Sequence, residues 1–183
     1  MQEVRQGGLS TRGIVISGVL GAVAIVLGAT RIGFIPMPTG VQATIMHVPA
    51  IIGGILEGPL VGALVGTIFG IFSFVIATIP MFKDPIVAIV PRIFIGIFAA
   101  WAYMAARPLG EWWAITLAAV VGTATNTILV LGLGVARHYL PAKVAWTVGL
   151  THGIPEIIVA VIVSLAVLLS WKRVQTGQAR ARV

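Results

Sequence analysis

Arg31, His47, Arg92, Asn126, His152 and Glu156 stand inside stretches that are otherwise almost wholly apolar. A guanidinium grips a carboxylate or phosphate through two parallel hydrogen bonds. An Asn amide donates and accepts at once, an imidazole does either, and a carboxylate accepts. Such groups are costly in hydrocarbon and persist where they pair with one another or line a wet cavity. Gathered toward one end of a set of membrane helices, these six predict a pocket that opens to one side. His152 and Glu156 are four residues apart and share a helix face. Pro155 cannot donate to the carbonyl of Thr151, Pro91 frees that of Val87, and Pro49 frees that of Ile45. Broken backbone beside polar side chains suits a cavity wall, where a freed carbonyl can meet a ligand or water.

Each residue has a plainer role beside the functional one. Arg92 either anchors an anion or pairs internally with Glu156. Arg31 either lines the pocket or snorkels to the interface. Asn126, in the run Thr123-Ala124-Thr125-Asn126-Thr127, either meets a ligand or bridges two helices. His47, His152 and Glu156 do not form a His-Glu-x-x-His pattern and the chain has no Cys, so no metal site and no cofactor is expected. His152 and Glu156 as the acid and base of an intramembrane enzyme is a rival reading. No recognisable nucleophile stands beside them, and no catalytic residue is assigned.

The elements that must position these residues follow from apolar runs and their breaks. The chain is 58% hydrophobic and 9% charged over 183 residues, against about 25% charged in a soluble domain. It is expected to be one integral membrane domain, residues 1–183, in the cell membrane. The run 13–30 has no charge and no convincing cleavage site, so it is expected to be a span rather than a signal peptide. Six helices are predicted, over about 13–34, 42–56, 60–79, 85–106, 111–136 and 144–171, forming an all-α bundle. The second is short, roughly 22 Å at 1.5 Å per residue, and so is expected either to be tilted little or to lie partly inside the bundle. Runs apolar on both parities argue against a β-barrel.

Arg5, Arg12, Arg107, Lys172, Arg173, Arg180 and Arg182 fall on one side, and Lys83, Arg137 and Lys143 on the other. Seven against three predicts both termini in the cytoplasm, with outer loops at 35–41, 80–84 and 137–143. The net charge of +7 then reads as topology signal and contact with anionic lipid of the bilayer, not with nucleic acid. Trp101, Trp112, Trp113, Trp146 and Trp171 sit at or near helix ends, as interfacial anchors do.

Small residues recur at spacing four. Gly62, Gly66 and Gly70 form a stripe on the third helix. Gly18 with Ala22, Ser17 with Gly21, and Ala24 with Gly28 do so on the first. Such stripes allow close helix contact, either within the bundle or with a partner. The first three helices are thus smooth and the last three carry most polar groups. The chain has no Gly-x-x-x-x-Gly-Lys-Ser/Thr loop, so ATP binding of that kind is excluded.

The stretch from His47-Val48-Pro49 through Gly53-Gly54-Ile55-Leu56-Glu57-Gly58-Pro59 to Gly62-Ala63-Leu64-Val65-Gly66 resembles the second and third helices of the substrate-binding S components of energy-coupling factor (ECF) transporters. Asp84-Pro85-Ile86-Val87, Pro91-Arg92-Ile93-Phe94-Ile95-Gly96 and Gly153-Ile154-Pro155-Glu156 are similar to the branch linked to pantothenate. The resemblance implies a vitamin-capturing subunit, not an enzyme. It would dock on a membrane coupling subunit with two cytoplasmic ATPases beneath, then topple to release its cargo inward. It also implies docking through Gly18, Ala22, Gly62, Gly66 and Gly70, and ligand contact from helices four to six and the outer loops. Arg92 would hold the pantothenate carboxylate, with Asn126, His152 and Glu156 taking the amide and hydroxyls. Lipoate, folate and riboflavin stay open as cargo.

Overall fold

The computed structural model describes residues 9–36 and 43–180, with side chains as far as Val174. Six α-helices run α1 (Thr11–Ala29), α2 (Val48–Glu57), α3 (Pro59–Val75), α4 (Pro85–Ala106), α5 (Glu111–Ala136) and α6 (Ala142–Arg180). A two-stranded antiparallel hairpin, β1 (Phe34–Ile35) and β2 (Ala43–Thr44), joins α1 to α2. Single 3-10 turns precede α4 (Pro80–Lys83) and follow it (Arg107–Leu109).

The bounds of α4 and α5 agree with the sequence expectation, because both are set by punctuation. Asp84 caps α4 by accepting from the Ile86 N–H at 3.0 Å, with Pro85 at the first position. Gly110, at φ 98°, opens α5. Other ends differ. α1 stops at Ala29, not near residue 34, since Arg31 turns left-handed at φ 60° and the backbone of Phe34 and Ile35 pairs with Thr44 and Ala43. α2 begins at Val48 rather than near residue 42, because Ala43 and Thr44 are strand and Pro49 fits only a first turn. Pro49 is therefore no break inside a helix, and the Ile45 carbonyl accepts from the Val48 N–H at 3.0 Å. α3 ends at Val75, short of 79. α6 overruns its expected limits at both ends. The expected outer-loop residues 37–41, the expected helix start at Gln42, and Arg5 and Arg182 lie outside the described residues.

Four helices, α1, α4, α5 and α6, are long and apolar enough to cross a membrane, and α2 and α3 are shorter. At ten residues α2 spans about 15 Å, half of the ~30 Å hydrocarbon core. Eight of its ten residues are buried, Val48 through Ile55. It is the hub of the bundle, touching α1, α3, α4, α5 and α6. The outer surface is apolar: Ile128, Trp146, Val75 and Ile162 are each at least 60% exposed. All five Trp are exposed too. Polar groups inside and aliphatic groups outside is the arrangement of a multi-pass integral membrane protein.

Glycines set how close the helices come. A Cβ on Gly62 would lie 2.7 Å from the Gly96 Cα and 2.9 Å from the Gly54 Cα, so α2, α3 and α4 meet backbone to backbone. One turn on, a Cβ on Gly66 would strike the Arg92 carbonyl. A Cβ on Gly70 would sit 3.0 Å from the Ile89 Cα. The α3 stripe is thus spent inside the bundle against α4. This corrects its expected use as a partner-docking face. α1 divides its small residues between two faces. Ser17, Gly21, Ala24 and Gly28 are buried, with Gly21 against Ile68 of α3. Gly18 and Ala22 are exposed, and nothing lies within 4 Å of a Cβ on Gly18.

Candidate functional site

Five of the six singled-out residues are buried side chains, each at most 7% exposed: His47, Arg92, Asn126, His152 and Glu156. The sixth, Arg31, is exposed in the turn after α1, where its N–H caps the Gly28 carbonyl at 3.2 Å.

Arg92 is the best-defined member. Pro91 removes the N–H that would bond Val87, and the Arg92 Nη1 donates to that freed carbonyl at 2.6 Å. The backbone gap is thus closed by the neighbouring side chain. The guanidinium carbon lies 5.6 Å from the ring centre of Phe69 on α3 and 5.1 Å from that of Phe82 in the turn before α4. The two rings steady the cation without satisfying its donors. The Arg92 Nε–H is buried and has no hydrogen-bond partner. The Arg92 and Glu156 charges attract each other, yet no direct ion pair joins them among the described residues.

Glu156 is engaged elsewhere. Its Oε1 accepts from the Thr44 N–H of β2 at 2.7 Å, which ties the α1–α2 hairpin to α6. The Thr44 hydroxyl accepts from the Met46 N–H at 3.1 Å and holds the next turn. His47, at the head of α2, places Nε2 3.0 Å from the Thr123 Oγ1 of α5. The His152 Nδ1 lies 3.1 Å from the Val148 carbonyl and 3.0 Å from the Thr151 Oγ1. Gly153 faces α5, where a Cβ would make ordinary van der Waals contact with the Thr127 Cγ2 at 3.5 Å. On α5, the Asn126 Oδ1 and the Thr127 Oγ1 are buried without a partner.

The loops at this end are pinned to one another. Arg137, after α5, donates from Nε to the Asp84 Oδ2 at 2.8 Å, and the Tyr139 hydroxyl donates to the same oxygen at 3.3 Å. Burial pushes the Asp84 carboxyl up, but the bonds from Arg137, the Ile86 N–H and Tyr139 outweigh it and hold it below its ordinary range.

Sequence reasoning found the charged residues and missed their holders. Phe69 and Phe82 read as ordinary apolar positions, and only the fold brings both ring centres within 5.6 Å of the Arg92 guanidinium carbon. Thr44 gave no signal, because it acts through its backbone. Thr123 stood in the quoted Thr-rich run without a role. What the arrangement offers chemically is a caged cation with a spare donor, an amide oxygen and a hydroxyl seeking partners, and a carboxylate clasped to a loop. That set has the chemistry to pair with a small anion bearing further hydrogen-bonding groups.

Comparison with known proteins agrees with this architecture. The model of the ECF transporter substrate-specific component family matches residues 12–168. The chain is also similar to the pantothenic acid transporter PanT of Lactococcus lactis subsp. cremoris (strain MG1363). The two are 33% identical over 157 residues, covering 72% of this chain and 78% of that protein. The match takes in α1 through most of α6, including every residue of the buried polar set, and the chain belongs to the family of ECF transporter substrate-specific components.

Proposed function

We propose that this chain is the substrate-capturing subunit of an ATP-driven importer and that its cargo is pantothenate. It works as one integral membrane domain. Six segments cross the bilayer, α2 completing its crossing with the hairpin before it, and both termini are cytoplasmic. The pocket opens outward between α4, α5 and α6, beneath the hairpin. Arg92 holds the carboxylate, and Asn126 and Thr127 meet the amide and hydroxyls. His47, His152 and Glu156 complete the wall, with Glu156 drawing the hairpin over the site. Arg31, exposed beyond α1, has at most an outer role. The loaded subunit then docks on a membrane coupling subunit driven by two ATPases.

One observation carries the reading. The Arg92 Nε, the Asn126 Oδ1 and the Thr127 Oγ1 are buried and unpartnered in a family of substrate-binding subunits. Each such atom costs about 1–3 kcal/mol when nothing satisfies it, and a polar ligand removes that penalty. The name of the similar pantothenic acid transporter supports the choice of cargo. Titration calorimetry of the purified chain in detergent should show pantothenate binding, with lipoate, folate and riboflavin much weaker. In liposomes the chain alone should accumulate nothing, and uptake should appear when coupling and ATPase subunits are added with ATP. Tight binding of a different vitamin would sink the cargo assignment. Concentrative uptake by the chain alone would sink the subunit role.

A further inference from the structure

At the end of the bundle opposite the buried polar set lies a cleft of about 240 Å³ whose lining includes Arg12 of α1, Tyr103 of α4, Arg107 after it, and Trp171 and Lys172 of α6. A second depression of about 220 Å³ shares Ile55, Leu56, Tyr103 and Arg107 with it and adds Ala100, Met104 and Glu57, whose carboxylate is taken up by Arg12. One part is thus rimmed by cations and aromatic rings, and the other adds the aliphatic side chains of Ala100 and Met104 to the shared Ile55 and Leu56, with Glu57 at its edge. Two of the cations are locally balanced: Arg12 pairs with Glu57 at 2.8 Å, and Lys172 pairs with Glu111 while donating to the Tyr103 hydroxyl at 3.0 Å. Arg107 is the surplus charge. Its guanidinium carbon lies over the Tyr103 ring, 5.9 Å from the centre, and it makes no direct ion pair among the described residues. Met104 and Trp171 are 49% and 45% exposed, so the cleft opens sideways to the apolar exterior.

We infer that this cleft is a binding site for an anionic phospholipid of the cytoplasmic leaflet. The phosphodiester sits against Arg107 with Arg12 and Lys172 around it, the glycerol region lies on Trp171 and Tyr103, and an acyl chain runs along Leu56, Ala100 and Met104. Basic pockets between membrane helices on the cytoplasmic side take such headgroups. Aromatic residues at the interface favour the same depth. The aliphatic side chains of Leu56, Ala100 and Met104 distinguish this occupant from a free phosphate, which has nothing to lay there. The cations come from three separate elements, so a bound lipid braces α1, α4 and α6 around the C-terminal end of α2.

The inference rests on the orientation proposed above, and the test separates the two. Native mass spectrometry of the delipidated full chain would compare phosphatidylglycerol, phosphatidylcholine and glycerol 3-phosphate. Phosphatidylglycerol should be retained over phosphatidylcholine, and Arg107→Gln should lower that retention about fivefold, the worth of one basic side chain beside an anionic surface. Lys143→Gln, an exposed cation at the other end, should change nothing, and pantothenate affinity should be unaltered in both variants. Equal retention by wild type and Arg107→Gln would overturn the site. Displacement of the lipid by glycerol 3-phosphate would overturn the lipid assignment in favour of a free anion. Because the chain has no Cys, Leu109→Cys reports the side directly. Labelling by an impermeant maleimide from outside intact cells would refute the orientation, and the cytoplasmic-leaflet assignment with it, while leaving any lipid binding in detergent standing.

Discussion

α1 and α3 carry the same sequence device and use it in opposite directions. In α3, Gly62 and Gly66 face α4 so closely that no side-chain atom fits between the backbones, and Gly70 leaves only a tight gap. In α1, Gly18 and Ala22 face outward with open space beside Gly18, while the stripe Ser17, Gly21, Ala24 and Gly28 takes the inward contact. Spacing four states that a helix can be approached closely. It does not state by what. The lesson bears on the site as well, because Gly66 and Gly70 abut the backbone and Cβ of Arg92. The inward stripe is what sets the backbone of the proposed anchor in its place beside Phe69 and Phe82.

The most severe way to break this comparison is to add bulk to the inward stripe. Gly66→Leu meets backbone, which cannot move aside as a flexible side chain can. It should destabilise the chain by about 3 kcal/mol or more, at the upper end of overpacking effects. Monodisperse protein yield and ligand affinity should fall together. A well-folded Gly66→Leu protein with normal binding would mean that the α3–α4 contact is not as tight as described.

Arg92→Ala separates the anchor from the packing that positions it. The stripe stays intact, so thermal stability without ligand should hold, while pantothenate affinity drops by about 2–5 kcal/mol, as when one partner of a buried charged contact is removed. Arg92→Lys should recover only part, since an ammonium lacks the planar fork. Unchanged calorimetric affinity in a folded Arg92→Ala protein would remove Arg92 from the site.

A finer cut falls on the rings beside the anchor. Phe82→Ala removes one face of the cage and should weaken ligand binding by about 0.5–2 kcal/mol through a less fixed guanidinium. Phe82→Tyr should restore most of it. If Phe82→Ala binds as tightly as wild type, the Val87 carbonyl alone suffices to orient Arg92.

The smallest effect on the chain itself belongs to the outward stripe. Gly18→Leu should leave ligand affinity unchanged and stability equal or higher by up to about 1 kcal/mol, because Gly is a poor helix former. Capture of the coupling subunit should fall, since the outer face can no longer be approached closely. Loss of binding and stability together would show that Gly18 is covered by the chain's own helices. Full capture would move the docking face elsewhere.

Much of this molecule was legible in its sequence. Composition gave an apolar multi-pass protein, and Asp84-Pro85 and Gly110 gave both bounds of α4 and the start of α5, because caps and breakers act locally. The buried polar residues announced themselves by cost: a charge amid aliphatic neighbours must be satisfied, so His47, Arg92, Asn126, His152 and Glu156 could be singled out one by one. Arg31 could not be told from them by that rule, since a chain end one turn away lets a long side chain reach water.

Tertiary structure decided the partnerships. Whether the freed Val87 carbonyl met ligand, water or the next side chain depended on where Arg92 was pushed by α3. Whether Glu156 paired with Arg92 or with a loop depended on a hairpin whose strands are two residues each, too short to show any periodicity. Whether a stripe of glycines faced inward depended on which helix lay opposite. Local propensities act over a few residues and are written in order along the chain. The contacts that hold this site join residues as far as 112 positions apart, and only the packed bundle brings them together.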